Sequence, residues 1–579
     1  MRQAVPLSFS PDGTRLLVGS NVPGTQQLYL LGVGGGDLEQ LTDLTDPVEG
    51  FFLPDGRVLV AVDDGGNERT QLYTLGDARA LEPLVVDPRF IHKTPCTGGR
   101  TLAYATNRRN EVDFDVVARS LETGAERVFE LGGNCGVEGV SPDGRLVAVE
   151  RVGDRSGDND LYLCDTETGA VTHLTPHDDQ AEFYAPVWLG DTLVFATNEG
   201  RDTFAIARAA GSAREDFVVE SDWDLVCTGD DAGRSLLVLA NEDGYSRLTL
   251  VDPRTFAARE DVPLPGRGVV EHPVFSPDGS LLAFSFSSPV EPHDVYLYDL
   301  EQRALTRLTT SPRDVDPRKL VEPTLYRFES FDGESVPVFL FEPEGEGPFP
   351  VVVTVHGGPE SQWLPWFGPS FAPLTQHLVS RGYAVAAPNV RGSTGYGKRY
   401  EHLDDIEKRL DSVRDLASLH GWLAARPGID ASRAVVYGRS YGGYMVLAAL
   451  AFQPELWAAG IECVGIASLV TFLENTSPYR RAAREREYGS LERDRDFLVE
   501  ASPLTHIDAI RAPLFIQHGR NDPRVPVSES EHIHAVLVEK GLPCELLIFE
   551  DEGHTVAKLS NRIETFTRAV AFLDRVLAP

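Results

Sequence analysis

Nothing in this 579-residue chain approaches the run of about 18 apolar residues that a membrane-crossing helix needs. The first residues, Met1-Arg2-Gln3-Ala4-Val5-Pro6, lack the apolar core of a secretory signal. Cysteine is sparse: the six present (Cys96, Cys135, Cys164, Cys227, Cys463, Cys544) form no CxxC pair and no His/Cys cluster. Neither a zinc site nor a disulfide framework is indicated, and no metal or organic cofactor is expected. Positive charge is in deficit, with 53 Lys plus Arg against 88 Asp plus Glu and a net charge of −35, which disfavours nucleic acid and anionic membranes as partners. The expectation is a cytoplasmic protein, and 42% apolar residues suffice for two cores.

What is present begins with Ala434-Val435-Val436-Tyr437, which runs into Gly438-Arg439-Ser440-Tyr441-Gly442 and then into apolar positions at helical spacing (Tyr444, Val446, Leu447, Leu450, Phe452). A strand, a Gly-x-Ser-x-Gly turn and a helix make a nucleophile elbow, whose glycines are required because a Cβ would collide there. The candidate nucleophile is Ser440. A serine hydroxyl needs a general base, and the base needs an acid to orient it. In this fold those partners follow in the order acid, then histidine.

Two later segments supply them. Ala512 to Gly519 reads as a strand whose exit loop carries Asp522, and Cys544 to Phe549 reads as a strand leading to His554. The expected triad is Ser440, Asp522 and His554. Asp551 and Glu552 are rival acids but stand too near His554 in the chain, and His518, inside a strand pattern, reads as structural. Acyl transfer also requires amides aimed at the developing oxyanion. Tyr441, after the nucleophile, offers one. The loop His356-Gly357-Gly358-Pro359, after the strand Pro350 to Val355, offers the other through Gly358, with Gly357 the near alternative.

Five segments together resemble the prolyl oligopeptidase family of serine peptidases, on its acylaminoacyl-peptidase and dipeptidyl-peptidase branch. They are His356-Gly357-Gly358-Pro359, the run Asn389 to Gly397, Gly438 to Tyr444, the run His518 to Pro526, and Glu552-Gly553-His554. The resemblance spans roughly the last 260 residues and implies an α/β-hydrolase domain under a β-propeller that admits only short peptides. It also implies a helical segment ahead of the propeller. This chain enters its first blade motif by residue 9, so weaker interdomain anchoring, or a chain that begins later than its relatives, is the expectation.

The propeller has independent support. Apolar-Ser-Pro-Asp-Gly recurs at Phe9 to Gly13, Val140 to Gly144 and Phe275 to Gly279, with degenerate copies between, so that turn glycines fall at 13, 56, 99, 144, 190, 233 and 279. Spacings of 43 to 46 residues are those of four-stranded blades. Seven turns predict a seven-bladed β-propeller over residues 1–315 and an α/β-hydrolase domain over 316–579, joined through Ser311 to Pro323. Each unit has a second strand such as Gln27 to Leu30 or Asp294 to Leu297, and the first hydrolase strand is expected near Val336 to Phe341.

Specificity is less legible. Tyr479 to Gly489 resembles the stretch that in dipeptidyl peptidases gives two pocket tyrosines, but four and eight residues before Tyr488 stand Arg484 and Arg480. They share a helical face that suits a carboxylate, unless the face is solvated and laced by Glu485 and Glu487. No pair of propeller glutamates that would grip a free amine is recognisable. Removal of an N-acylated residue and carboxypeptidase-like cleavage are both carried forward. An esterase on the same machinery and a pure binding module also stay open, as does oligomeric state, a homo-oligomer included.

Overall fold

The computed structural model describes residues 2–210, 213–230, 232–313, 315–368 and 371–577. Residues 4–307 form seven four-stranded antiparallel sheets, each built from strands consecutive in the chain. First strands of successive blades touch one another: 92–98 meets 135–140, then 183–189, 224–229, 269–275 and finally 4–9. They therefore stand nearest the ring axis. Blade 1 meets blade 7 through a shared apolar layer of Ala4, Phe9, Leu16 and Val18 against Ala283, Val295 and Leu297, which closes the ring.

The repeated turn motif explains how each blade starts. All seven turn glycines have positive φ, from 53° at Gly99 to 87° at Gly56, which only glycine adopts without strain. In the three complete copies the serine hydroxyl donates to the aspartate at 2.6 Å. The same hydroxyl accepts the amide five residues on (Arg15, Leu146, Leu281) at 2.8 to 3.0 Å. This turn joins strands one and two, so the Gln27 and Asp294 segments are third strands (Gln27–Gly32, Glu291–Asp299), not second.

The second unit is an eight-stranded sheet. Its strands are β1 (Thr324–Glu329), β2 (Ser335–Phe341), β3 (Phe349–Val355), β4 (Ala384–Pro388), β5 (Ile429–Arg439), β6 (Ala459–Cys463), β7 (Leu514–Gly519) and β8 (Cys544–Phe549). They lie in the order β1-β2-β4-β3-β5-β6-β7-β8, with β3 to β8 mutually parallel. The first strand is thus β1, not the Val336 segment; its Leu-Tyr-Arg-Phe-Glu alternation is that of a half-covered edge. The central strands are buried on both faces, as continuous runs such as Val351-Val352-Val353 require, with one core on each side.

The units meet around the ring. Leu559 N donates to Gly24 O (2.9 Å), Asn521 Nδ2 to Gly65 O (3.0 Å), Lys398 Nζ to Gln180 O (3.0 Å), and Phe367 N to Ser287 Oγ (2.8 Å). Anchoring is distributed over blades 1, 2, 5 and 7.

Candidate active site

At the C-terminal end of β5 the chain turns through Ser440 with φ 59° and ψ −120°, and the helix α1 (Tyr441–Phe452) begins at the next residue. Such a conformation costs of order 1–3 kcal/mol in an L residue and persists only where packing enforces it. The enforcement is steric. A Cβ at Gly438 would lie 2.2 Å from Gly442 O, and one at Gly442 would lie 2.2 Å from Val355 O. The Ser440 amide is held by Cys463 O at 2.9 Å.

Asp522 leaves β7 and His554 leaves β8, so all three residues sit at the same edge of one sheet, where open parallel sheets place their sites. His554 Nδ1 lies 2.7 Å from Asp522 Oδ2. The other carboxylate oxygen accepts the Arg524 and Val525 amides at 2.8 and 3.0 Å. Burial pushes the His554 imidazole down to about 4; Asp522 opposes this, and the Arg439 and Arg524 charges add to it. Burial alone would raise Asp522, but the His554 charge and the His518 and His554 hydrogen bonds outweigh it and hold the carboxyl well below the usual range. At neutral pH the pair is a carboxylate and a neutral imidazole.

Four neighbours refine the sequence reading. Asp551 pairs with Lys558 at 2.7 Å, and Glu552 accepts the Ala557 and Lys558 amides at 2.9 Å, so both rivals brace the histidine loop from behind. His518 is structural in that it binds Ser530 Oγ (2.7 Å) and Val525 O (3.0 Å), yet its Nε2 also approaches Asp522 to 3.4 Å. Arg439, the variable residue before the serine of the elbow motif, donates to His554 O (2.6 Å) and Thr555 Oγ1 (2.5 Å). It ties the residue before the nucleophile to the histidine loop.

Gly357 is beside the elbow: a Cβ there would stand 3.2 Å from Arg439 O and 3.4 Å from the Ser440 Cβ. Gly358 has φ 130°, a conformation that glycine alone tolerates. His356 fixes this loop through Nε2 to Ser393 Oγ (2.9 Å), and burial lowers its pKa to about 4, keeping it neutral. Tyr441 opens α1, so its amide belongs to the first turn that the helix itself leaves unbonded.

Arg480 and Arg484 lie on the helix α2 (Pro478–Tyr488) and do share a face. It is not solvated. With Lys93, Arg524 and Glu68 they line a cavity of about 430 Å³ between the units. Glu68, from the blade 2 loop, bonds Arg480 through one oxygen and Arg524 through the other. Glu487, expected to lace the face, is instead buried against Arg409. Two residues from Glu68, a Cβ at Gly66 would lie 2.5 Å from Gly553 N. Blade 2 therefore clamps both the Asp522 and the His554 loops. Glu68, 412 residues from Arg480, carries no motif that would have announced it.

Propeller and strained elbow over a parallel sheet define a propeller-capped serine hydrolase. The family model "Prolyl oligopeptidase family" matches residues 369–579, and "Prolyl oligopeptidase, N-terminal beta-propeller domain" matches 52–311. Dipeptidyl aminopeptidase BIII of Pseudoxanthomonas mexicana is 30% identical over 598 residues, covering 96% of this chain and 84% of that protein. A solved prolyl endopeptidase superposes with TM-score 0.87 at 19% identity, covering 100% of this chain and 90% of that one. A puromycin-hydrolyzing peptidase of Mycobacterium tuberculosis gives 0.84 at 21%, covering 100% and 94%. The chain belongs to the prolyl oligopeptidase family and is a serine peptidase similar to dipeptidyl peptidases.

Proposed function

We propose that the protein is an exopeptidase that cuts short peptides near the amino terminus, with Ser440, Asp522 and His554 as its triad. The observation that carries the reading is the 2.7 Å contact between Asp522 and His554 at the sheet edge that also presents Ser440. His554 takes the Ser440 proton as the hydroxyl attacks the scissile carbonyl, while Asp522 holds the imidazolium. The Tyr441 and Gly358 amides receive the oxyanion, with Gly357 as neighbour. The leaving amine takes the proton from His554, and water then attacks the acyl-enzyme with His554 again as base.

Release of a dipeptide is supported by the relative named as a dipeptidyl aminopeptidase. Removal of an N-acylated residue, the acylaminoacyl-peptidase mode, uses the same chemistry with a capped amine. A carboxypeptidase-like reading has its own support: Lys93, Arg480, Arg484 and Arg524 around one cavity suit a carboxylate that displaces Glu68. An esterase would use the same residues. Cleavage of one short peptide in free, N-acetylated, C-amidated and ester forms tests these. Dipeptide release from the free and C-amidated forms is expected. Loss on C-amidation would establish the carboxypeptidase mode instead, dependence on acetylation the acylaminoacyl mode, and turnover of esters alone the esterase. Cytoplasmic residence belongs to the same proposal.

A further inference from the structure

A cavity of about 390 Å³ lies between blades 5 to 7 and the hydrolase loop at residues 394–401. Much of its wall is apolar, with Phe204, Leu239, Val270 and Leu364 contributing. Four carboxylates also line it: Glu182, Asp224 and Glu271 from the propeller and Glu401 from the hydrolase unit.

Glu401 is the informative one. It is 7% exposed, and among the described residues no donor bonds its carboxylate. The groups that act on it most strongly are further carboxylates, Glu182, Glu360, Asp224 and Glu487. Nearby cations are engaged elsewhere. Lys398 Nζ donates to the Gln180 and Asn198 carbonyls at 3.0 and 3.3 Å, and His402 pairs with Asp405 at 3.0 Å. A buried carboxylate among like charges, facing open space, lacks the partner that burial of a charge demands.

The surrounding backbone is shaped toward the cavity. The blade 5 strand Phe183–Leu189 bulges after Tyr184, with Ala185 at φ 48°, and the blade 7 strand Val269–Phe275 bulges after Glu271, with His272 at φ 52°. Tyr184 and Glu271 both line the cavity, and bulges of this kind re-aim side chains. The Glu401 loop is also braced to the oxyanion loop: Thr394 N donates to Ser361 O at 3.0 Å, three residues from Gly358. The cavity wall and the Gly358 loop are thus joined by a direct backbone bond.

We propose that this cavity is a subsite for a basic side chain of the substrate, a lysyl ammonium or arginyl guanidinium, its methylenes along the apolar wall and its charge at Glu401, with Glu182 and Asp224 beside it. The inference rests on the peptidase reading above. A long stem suits a space of this volume better than a bare ammonium, and the charge-assisted bonds would fall to carboxyl groups whose ionisation burial and one another now oppose. Burial raises the pKa of Glu182, Asp224 and Glu401, and that of Glu271 up to about 7, a state that a bound cation would reverse.

The test uses the full chain and short peptides with lysine or its neutral isostere norleucine at each position in turn, each peptide free and N-acetylated. Lysine at one position should raise kcat/KM by about tenfold or more over norleucine, acetylated or not. Binding of the same pairs to the Ser440→Ala protein, read by calorimetry, should show the same preference. Glu401→Gln should bring the lysyl peptide down to the norleucyl level. Equal rates and equal affinities for the pair would overturn the inference. A preference that acetylation abolishes would reassign the charge to the substrate's terminal ammonium and overturn the side-chain subsite. Absence of turnover with lysine-selective binding intact would remove the peptidase reading while leaving the cavity's ligand in place.

Discussion

At the scale of single residues the proposed triad turns on His554. A base works only while neutral, and burial lowers this imidazole to about 4, below the ordinary value near 6.5. Activity should hold through neutral pH and fall only as pH drops through the depressed pKa, so the acid limb of kcat/KM should lie well below pH 6.5. A limb at 6.5 or above, in a pH profile with an uncharged peptide, would show that His554 is not held in this environment. Arg439 is a positioning residue here, acting on His554 through its carbonyl and on Thr555. Arg439→Met should lower kcat by about ten- to a hundredfold with little change in KM, because a misplaced loop costs orientation rather than binding. Steady-state kinetics of the folded variant decide it, and partial rescue by Arg439→Lys would separate lost donation from lost packing.

Most of these residues were legible in the sequence for a physical reason. Ser440 is surrounded by glycines that the elbow cannot do without, and Asp522 and His554 each follow an apolar strand of the same sheet. Glu68, Arg439 and Glu401 were not legible, since the neighbours of each lie far away in the chain: Glu68 bonds Arg480, Arg439 bonds His554, and Glu401 shares a cavity wall with Glu182. Glu68 and Glu401 are charged residues in polar stretches and look like surface until the two units meet, and Arg439 is only the variable position of a Gly-x-Ser-x-Gly motif.

Among elements, the elbow and the blade turn show how glycine carries architecture. At Gly442 a Cβ would stand 2.2 Å from the Val355 carbonyl, backbone against backbone, with no flexible group to yield. Gly442→Ala should destabilise the hydrolase unit by about 3 kcal/mol. A denaturant midpoint unchanged from the parent would contradict the steric origin of the elbow. The blade turns were readable because Ser-Pro-Asp-Gly satisfies its own backbone, each serine and aspartate bonding within five residues. The strand count inside a blade was less readable, since strands two and three are both short apolar runs, and only the turn connectivity separates them. β1 was missed for a related cause: it alternates apolar and charged residues at a sheet edge, which from sequence alone reads as linker.

For the whole molecule the decisive feature is that the propeller is more than a cover. Glu68 holds Arg480 and Arg524 at once, and the Gly66 segment abuts Gly553, so blade 2 braces two of the three loops that carry the proposed triad. Glu68→Ala leaves two guanidinium groups without their shared partner in a partly buried site, and kcat should fall by about tenfold or more while each unit keeps its own fold. An effect confined to KM, or none, would mean that the clamp holds only the domains and not the loops. The ring placed over the site also implies a size limit: short peptides should be cut while folded proteins survive, which digestion of a folded substrate beside a peptide of its own sequence would decide.

The most direct test is covalent. A fluorophosphonate attacks only a serine activated by a neighbouring base, so it reads the assembly of Ser440, His554 and Asp522 without any assumption about substrate. Wild-type protein should be labelled at one residue, Ser440, with labelling absent in Ser440→Ala and slowed by about 10³-fold or more in His554→Ala. Failure of the wild-type chain to react, or labelling that persists unchanged in His554→Ala, would contradict a triad at this sheet edge.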